Sequence, residues 1–137
     1  MSEEQRIFLG LGSNMGNRYQ NLKNGIIMLH EHPHIWVTDK SHVYQSPPMY
    51  RVDQDEFYNM VVEIDTNLIP VDLLNEIKNI EKKAGRLLER KKNMPRILDI
   101  DILAIGEMQI HSGLLEIPHR GISERIFVLK PWNDIAP

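Results

Sequence analysis

Two aspartates, Asp99 and Asp101, stand two residues apart inside the apolar stretch PRILDIDILAIG, residues 95–106. In an extended strand, residues i and i+2 project to one face, roughly 7 Å apart along the backbone. The two carboxylates therefore stand side by side. Leu103 and Ile105 are expected to carry that face into the core, with Leu98, Ile100, Ile102 and Ala104 filling the other. Adjacent carboxylates at the edge of a core repel each other, and each is costly to desolvate without a partner. Positive charge has to meet them. One source is the protein itself, since Arg96 and the basic residues before it can form a structural network of ion pairs. The other is one or two Mg²⁺ ions, which take a few carboxylates and complete their shell with water and substrate phosphates. Carboxylates for Mg²⁺ beside arginines for phosphate oxygens is the arrangement that phosphoryl transfer uses.

The arginines are at hand. Residues 82–96, KKAGRLLERKKNMPR, hold seven of the sixteen Lys and Arg: Lys82, Lys83, Arg86, Arg90, Lys91, Lys92 and Arg96. The chain as a whole carries a net charge of −3, which gives no general attraction to nucleic acid or to anionic membrane. One dense basic segment in a mildly acidic protein points to a compact polyanion. No aromatic is interleaved for base stacking, so a phosphate-rich small molecule fits better than a nucleic acid, and a plain solvated basic face is the alternative.

Two other motifs resemble sites and read differently on inspection. GLGSNMGN, residues 10–17, sits between an apolar run and a helical pattern, as a dinucleotide fingerprint does. Its glycines fall at 10, 12 and 16, one residue late for the third glycine's packing role, so a tight turn leaving the first strand is expected instead. HEHPH places histidines at 30, 32 and 34 around a proline, in no regular element that would converge them on a metal. Histidine near a helix C-terminus also has an electrostatic reason to be there.

The elements that must position these groups follow from periodicity. The 137 residues suit one compact domain, residues 1–137, and 42% hydrophobic with 26% charged residues is ordinary for a soluble globular protein. IFLGLG (7–12) reads as a first buried strand, followed after Asn17 by a helix to about His30 through Leu22, Ile26 and Leu29. Residues 34–45 read as a second strand ending at Ser46-Pro47-Pro48. Phe57 to Asp65 is a third, with Met60, Val62 and Ile64 on one face and Val61 and Glu63 on the other. Pro70 opens a second helix that carries Leu73, Leu74, Ile77, Ile80 and Glu81 up to Gly85. The Asp99–Asp101 strand is fourth. MQI and LEI are candidate short strands, and SERIFVLKPW a turn of helix leading into an apolar segment. The order β-α-β-β-α-β, with strands two and three antiparallel, predicts an α+β, ferredoxin-like sheet with helices packed on one face and extra short strands near the C-terminus. Without cysteine there are no disulfides, zinc thiolates or thiol nucleophiles. MSEEQRIFLG lacks a signal-peptide layout and no apolar run approaches membrane-spanning length, so a cytoplasmic protein without membrane or nucleic-acid partners is expected.

GLGSNMGNR, SPPMY, FYNMVVEI and above all PRILDIDILAIG followed by IPHRGISERIFVL resemble the 6-hydroxymethyl-7,8-dihydropterin pyrophosphokinase family of folate biosynthesis, from about Ile7 to Pro137. The resemblance implies a monomeric enzyme acting on small molecules, in which ATP as co-substrate gives its β,γ-pyrophosphoryl group to the hydroxymethyl oxygen of the pterin and leaves as AMP. It implies that Asp99 and Asp101 hold two Mg²⁺ ions, and that Arg86 and Arg96 reach the phosphates and steady charge in the transition state. His119 and Arg125 would contact the ATP phosphates, Ile102 would meet the adenine through its backbone, and Glu81 belongs with the ATP-binding residues. Asn59 would read the pterin edge with its paired donor and acceptor. Phe57 and Phe127 would stack on the ring, and Ser46, Pro47 and Met49 would offer backbone contacts. The loops 46–56 and 87–95 are expected to close over the substrates. The chain departs from the family pattern at Leu88, at Asn93-Met94 and at Leu114 and Glu116, which implies fewer phosphate contacts and a negative charge near the triphosphate. A different function on the same fold, a degenerate non-catalytic module that binds nucleotide or phosphate for regulation, is the alternative.

Overall fold

The computed structural model describes residues 5–46, 56–85, 97–113, 115–118 and 126–136. Its elements in chain order are β1 (Ile7–Ser13), α1 (Arg18–Glu31), β2 (Ile35–Lys40), β3 (Tyr44–Ser46), β4 (Phe57–Thr66), α2 (Pro70–Lys83), β5 (Asp99–Ile105), β6 (Ile110–His111), β7 (Glu116–Ile117) and α3 (Ile126–Ile135). The architecture is mixed α/β: one main sheet in the order β2-β4-β1-β5, with β3 also paired to β4. Every pairing in it is antiparallel. It follows that β1 and β2, joined through α1, run parallel with β4 between them. Likewise β4 and β5, joined through α2, run parallel with β1 between them.

Local chemistry explains where the two crossover helices begin. The Asn17 side chain accepts the Gln20 amide at 3.1 Å and so satisfies one of the open donors of α1. Pro70 stands at the start of α2, where its missing N–H costs nothing, and Lys82 and Lys83 face the negative end of that helix. Both helices bury one stripe. Leu22 and Leu29 from α1 and Leu73, Ile77 and Ile80 from α2 meet Leu9, Leu11, Met60, Val62, Ile64, Ile100 and Ile102 from the sheet. Gly25 lets α1 approach closely, since a Cβ there would lie 3.1 Å from both methyls of Leu98.

The opposite face of the sheet is covered as well, which departs from the expectation of helices on one face. Phe8, Val61 and Leu103 form a second apolar cluster against Trp132, Ile135 and Ala136 of α3 and the residue after it. The Phe8 and Trp132 rings stand 5.3 Å apart in a tilted arrangement. Arg6 secures the far end of α3, where its Nη2 donates to the Ile135 carbonyl at 3.1 Å. The same guanidinium makes two bonds of 3.0 Å to the Glu63 carboxylate. The short strands near the C-terminus form a separate hairpin, with Ile110 opposite Ile117 and His111 opposite Glu116.

Two further departures have local causes. The expected second strand, residues 34–45, is broken into β2 and β3. Ser41 replaces the ladder there with a mixed pair: its N–H donates to the Val61 carbonyl at 2.8 Å, while its hydroxyl accepts the Val61 N–H at 2.9 Å. In β5 the alternation slips. Phe8 and Leu9 face Ala104 and Ile102, so Leu103 is an extra residue in a β-bulge. Asp99, Asp101 and Leu103 share the α3 face, but beyond the bulge Ala104 joins them beside Phe8 and Ile105 turns to the α1–α2 core.

Candidate functional site

β1 lies at the centre of the sheet and alternates strictly. Leu9 and Leu11 are buried beneath α1 and α2, while Gly10 and Gly12 occupy the other face. These glycines belong to the strand interior, as the reading of IFLGLG as a strand expected, and the turn suggested by GLGSNMGN begins only after Ser13. Only the third glycine serves the turn before α1, where Gly16 takes φ 69°, a conformation that favours glycine. The role of the first two is space. A Cβ on Gly10 would touch the Leu103 methyls at 3.4 Å; one on Gly12 would lie 3.2 Å from Asn59 Oδ1 and 3.4 Å from Phe57 Cδ1.

The register then assembles the site. Gly12 pairs with Asn59 on one side and with Asp99 on the other, and Gly10 pairs with Val61 and Asp101. Directly opposite residues share a face, so Asn59, Asp99 and Asp101 flank a trough over the glycines of β1, with Leu103 leaning over Gly10 and Phe57 over Gly12. Phe57, two residues before Asn59, is on that face too. Asn59 is buried, whereas Phe57, Asp99 and Asp101 are half-buried. Four residues named from the sequence are thus brought together by strand pairing alone.

Ile102 and Glu81 stand on the other side of β5. Glu81, 2% exposed on α2, accepts the Ile100 N–H through Oε2 at 2.7 Å. Its carboxylate therefore holds the outer edge of β5 at the residue between the two aspartates. Ile102 is in phase with Ile100, so its backbone groups point to the same outer edge, while its side chain is in the core.

Pro47, Met49, Arg86, Arg96, His119 and Arg125 lie outside the described residues, as do the side chains of Ser46 and Phe127 and most of the loops 46–56 and 87–95. The Ser46 backbone pairs with Phe57. Gly85 and Ile97, on either side of residues 86–96 of the basic segment, are in contact, since a Cβ on Gly85 would fall 2.8 Å from Ile97 Cδ1. Both attachment points of that segment are consequently beside the start of β5.

Among the described residues no group of three or more His, Asp or Glu is arranged to hold a metal ion. The Asp99–Asp101 pair offers carboxylate oxygens from two side chains on one face. That donor set suits a hard cation which completes its shell from water and a phosphate-bearing ligand. The histidines of HEHPH have other partners. His30 Nδ1 accepts the Val37 amide at 3.2 Å, and His32 Nδ1 accepts the His34 amide at 3.0 Å while its Nε2 lies 2.9 Å from Glu76 Oε1.

Several positioning residues were not singled out from sequence. Arg18 donates to the Glu56 carbonyl at 2.6 Å and lays its guanidinium 4.2 Å over the Tyr58 ring, fixing the start of β4 beside Phe57. Its place at the end of GLGSNMGNR was the available signal. Tyr44 donates its hydroxyl to Asp134 at 2.8 Å. That bond, together with the His42 amide, holds the Asp134 carboxyl below its ordinary range, and the same bond raises the Tyr44 phenol above its own.

Residues 8–137 match the family model described as 7,8-dihydro-6-hydroxymethylpterin-pyrophosphokinase. The 2-amino-4-hydroxy-6-hydroxymethyldihydropteridine pyrophosphokinase of Methylorubrum extorquens is 43% identical over 132 residues, covering 96% of this chain and 83% of its own. The folic acid synthesis protein FOL1 of Dictyostelium discoideum is 44% identical over 131 residues. That match covers 96% of this chain but only 20% of the much longer Dictyostelium protein. Among solved structures, the HPPK-DHPS protein of Plasmodium falciparum with pteroate aligns with a TM-score of 0.73 at 18% identity. It covers 98% of this chain and 40% of that one, a likeness of fold.

Proposed function

The chain belongs to the 7,8-dihydro-6-hydroxymethylpterin-pyrophosphokinase family, and we propose how its residues move the pyrophosphoryl group of ATP onto the hydroxymethyl oxygen of the dihydropterin, the step in folate biosynthesis that releases AMP. The pterin ring lies against Phe57, with Phe127 as its second stacking partner. Asn59 reads the ring edge, using its amide as donor and acceptor at once. Ser46, Pro47 and Met49 border the ring with backbone groups. ATP lies along β5. Its adenine meets the outward backbone of Ile102, whose edge Glu81 steadies through Ile100, and its phosphates meet Arg86, Arg96, His119 and Arg125.

Asp99 and Asp101 would hold two Mg²⁺ ions, which when bound neutralise charge on the triphosphate. The protein's own part is alignment. It holds the hydroxymethyl oxygen in line with the β-phosphorus, and its arginines stabilise the charge passing to the AMP leaving group. The observation that carries this reading is the row Asn59–Gly12–Asp99. Two strand spacings, about 10 Å, separate the residue that reads the heterocycle from the residue that faces the phosphates, and the strand residue between them is a glycine.

The strand order supports a ferredoxin-like arrangement, and we propose a single domain, residues 1–137, that works as a monomer in the cytoplasm. Incubation with Mg·ATP and the hydroxymethyl-dihydropterin is the direct test. Stoichiometric AMP is expected. ADP in its place, or retained ATP binding without turnover, would favour the non-catalytic nucleotide-binding module.

A further inference from the structure

β3 is three residues long, and its partners on β4 are, in turn, Asn59 opposite Tyr44, Tyr58 opposite Gln45 and Phe57 opposite Ser46. The shortest strand of the main sheet is thus paired with Asn59 and Phe57, two of the residues assigned to the heterocycle. So short a ladder is a weak support by itself, and the break at Ser41 separates it from β2.

An anchor comes from the opposite end of the sequence. Asp134 Oδ1 accepts the Tyr44 hydroxyl at 2.8 Å. Its Oδ2 accepts the His42 backbone N–H at 3.0 Å and lies 3.2 Å from His42 Nδ1. One carboxylate therefore grips the β3 segment by a side chain and by the main chain leading into it. α3, which carries Asp134, is fixed to the sheet independently of this grip, through Arg6 on the Ile135 carbonyl and Trp132 on Phe8.

We propose that Asp134 and Tyr44 are positioning residues for the pterin: the latch between them holds β3, and through it Asn59 and Phe57, in the arrangement that receives the heterocycle, without either residue touching the substrate. This rests on the assignment of Asn59 and Phe57 made above. Tyr44 and Asn59 are direct cross-strand neighbours, so their Cβ atoms are about 5 Å apart. A shift in the anchored tyrosine reaches the reading amide with nothing between. The phosphate side of the site, on β5, is two strands away and is not held by the latch.

The full chain is tested as wild type, Tyr44→Phe, Asp134→Ala, the double variant and Asn59→Ala, each titrated with the hydroxymethyl-dihydropterin and with ATP and each melted without ligand. Tyr44→Phe and Asp134→Ala are expected to weaken pterin binding roughly 5- to 30-fold, the span of one or two lost hydrogen bonds. ATP affinity should stay within about twofold in both, because β5 is outside the latch. The double variant should be little worse than the worse single one, since both changes break one contact. A parallel loss of pterin affinity, ATP affinity and melting temperature would mean a general structural role and would overturn the proposal. Pterin binding unchanged in Tyr44→Phe and Asp134→Ala but lost in Asn59→Ala would also overturn it, while leaving Asn59 as the reading residue. Pterin binding weakened by Tyr44→Phe but not by Asn59→Ala would keep the latch and remove Asn59 from recognition.

Discussion

Asn59 and Asp99 face each other across Gly12, each the direct cross-strand partner of that one glycine. β1 itself raises no side chain between them, and the ring that comes over Gly12 is that of Phe57. The site is a consequence of register. A slip of one residue in either pairing would send Asn59 or Asp99 into the apolar core beneath α1 and α2.

Gly12→Ala should therefore injure recognition more than folding. The new methyl would stand 3.2 Å from Asn59 Oδ1, which has to give by a few tenths of an ångström. Pterin affinity should fall about tenfold, with ATP affinity nearly unchanged, in calorimetric titrations of each ligand. The net stability change should stay under about 2 kcal/mol, because overpacking is offset by the lower chain entropy of alanine. An equal loss for both ligands would show that the trough does not separate two subsites.

Asp99→Asn and Asp101→Asn distinguish a metal-holding pair from a structural ion pair. If the carboxylates are there for Mg²⁺, AMP formation should fall by two or more orders of magnitude. The melting of the chain in EDTA should then move by no more than about 1 kcal/mol, the size of ordinary partly exposed charge effects. A clearly destabilised Asp99→Asn that still makes AMP would remove the metal assignment.

The site strand was legible in sequence because two charges in a run of Ile and Leu break period-two burial in only one phase. The third strand was equally legible, as Met60, Val62 and Ile64 did fall on the face under the helices. What local pattern did not carry was pairing. The bulge at Leu103 depends on how β5 meets Phe8 and Leu9, and nothing in DIDILAI by itself predicts it. Gly10 and Gly12 were legible as part of the first strand, but their role as spacers depends on partners roughly 50 and 90 residues away. α3 was read only as a turn of helix for the same reason. Phe8, Val61 and Leu103 form an apolar patch only once three strands are side by side, and only then does the sheet need a second cover.

Glu81 offers a third test, on the side of β5 away from the trough. Glu81→Ala leaves the buried Ile100 N–H without that acceptor and should cost about 1–3 kcal/mol in chemical denaturation. Glu81→Gln keeps an acceptor oxygen at the same reach and should cost clearly less. ATP affinity should follow the same order, since Ile100 and Ile102 share the edge assigned to adenine. Equal damage from Gln and Ala would mean that the negative charge of Glu81, and not its bond to Ile100, is what the fold uses.

The latch between Tyr44 and Asp134 has a pH window of its own, set by which form of each group makes the bond. Asp134 accepts as a carboxylate. Its carboxyl is held below the ordinary 3.8, first by the Tyr44 hydroxyl and then by the His42 amide. A lowered acid contributes stability that is present above its unfolded value and is lost as pH falls through its folded one. Tyr44 donates as a neutral phenol and is raised above its ordinary 10.0, first by that same bond. A raised phenol contributes stability that is complete below its unfolded value and is lost as pH rises through its folded one. The melting difference between wild type and Tyr44→Phe should accordingly be level between 3.8 and 10.0 and shrink beyond each end. His42, which also faces Asp134, is present in both proteins and cancels in the subtraction. Asp134→Asn should abolish the acid-side fall of the difference, because an amide oxygen accepts at every pH in the range, and should leave the alkaline fall in place. A wild-type minus Tyr44→Phe difference that declined steadily through neutral pH would assign the titration to another group and remove the hydroxyl–carboxylate bond as its source.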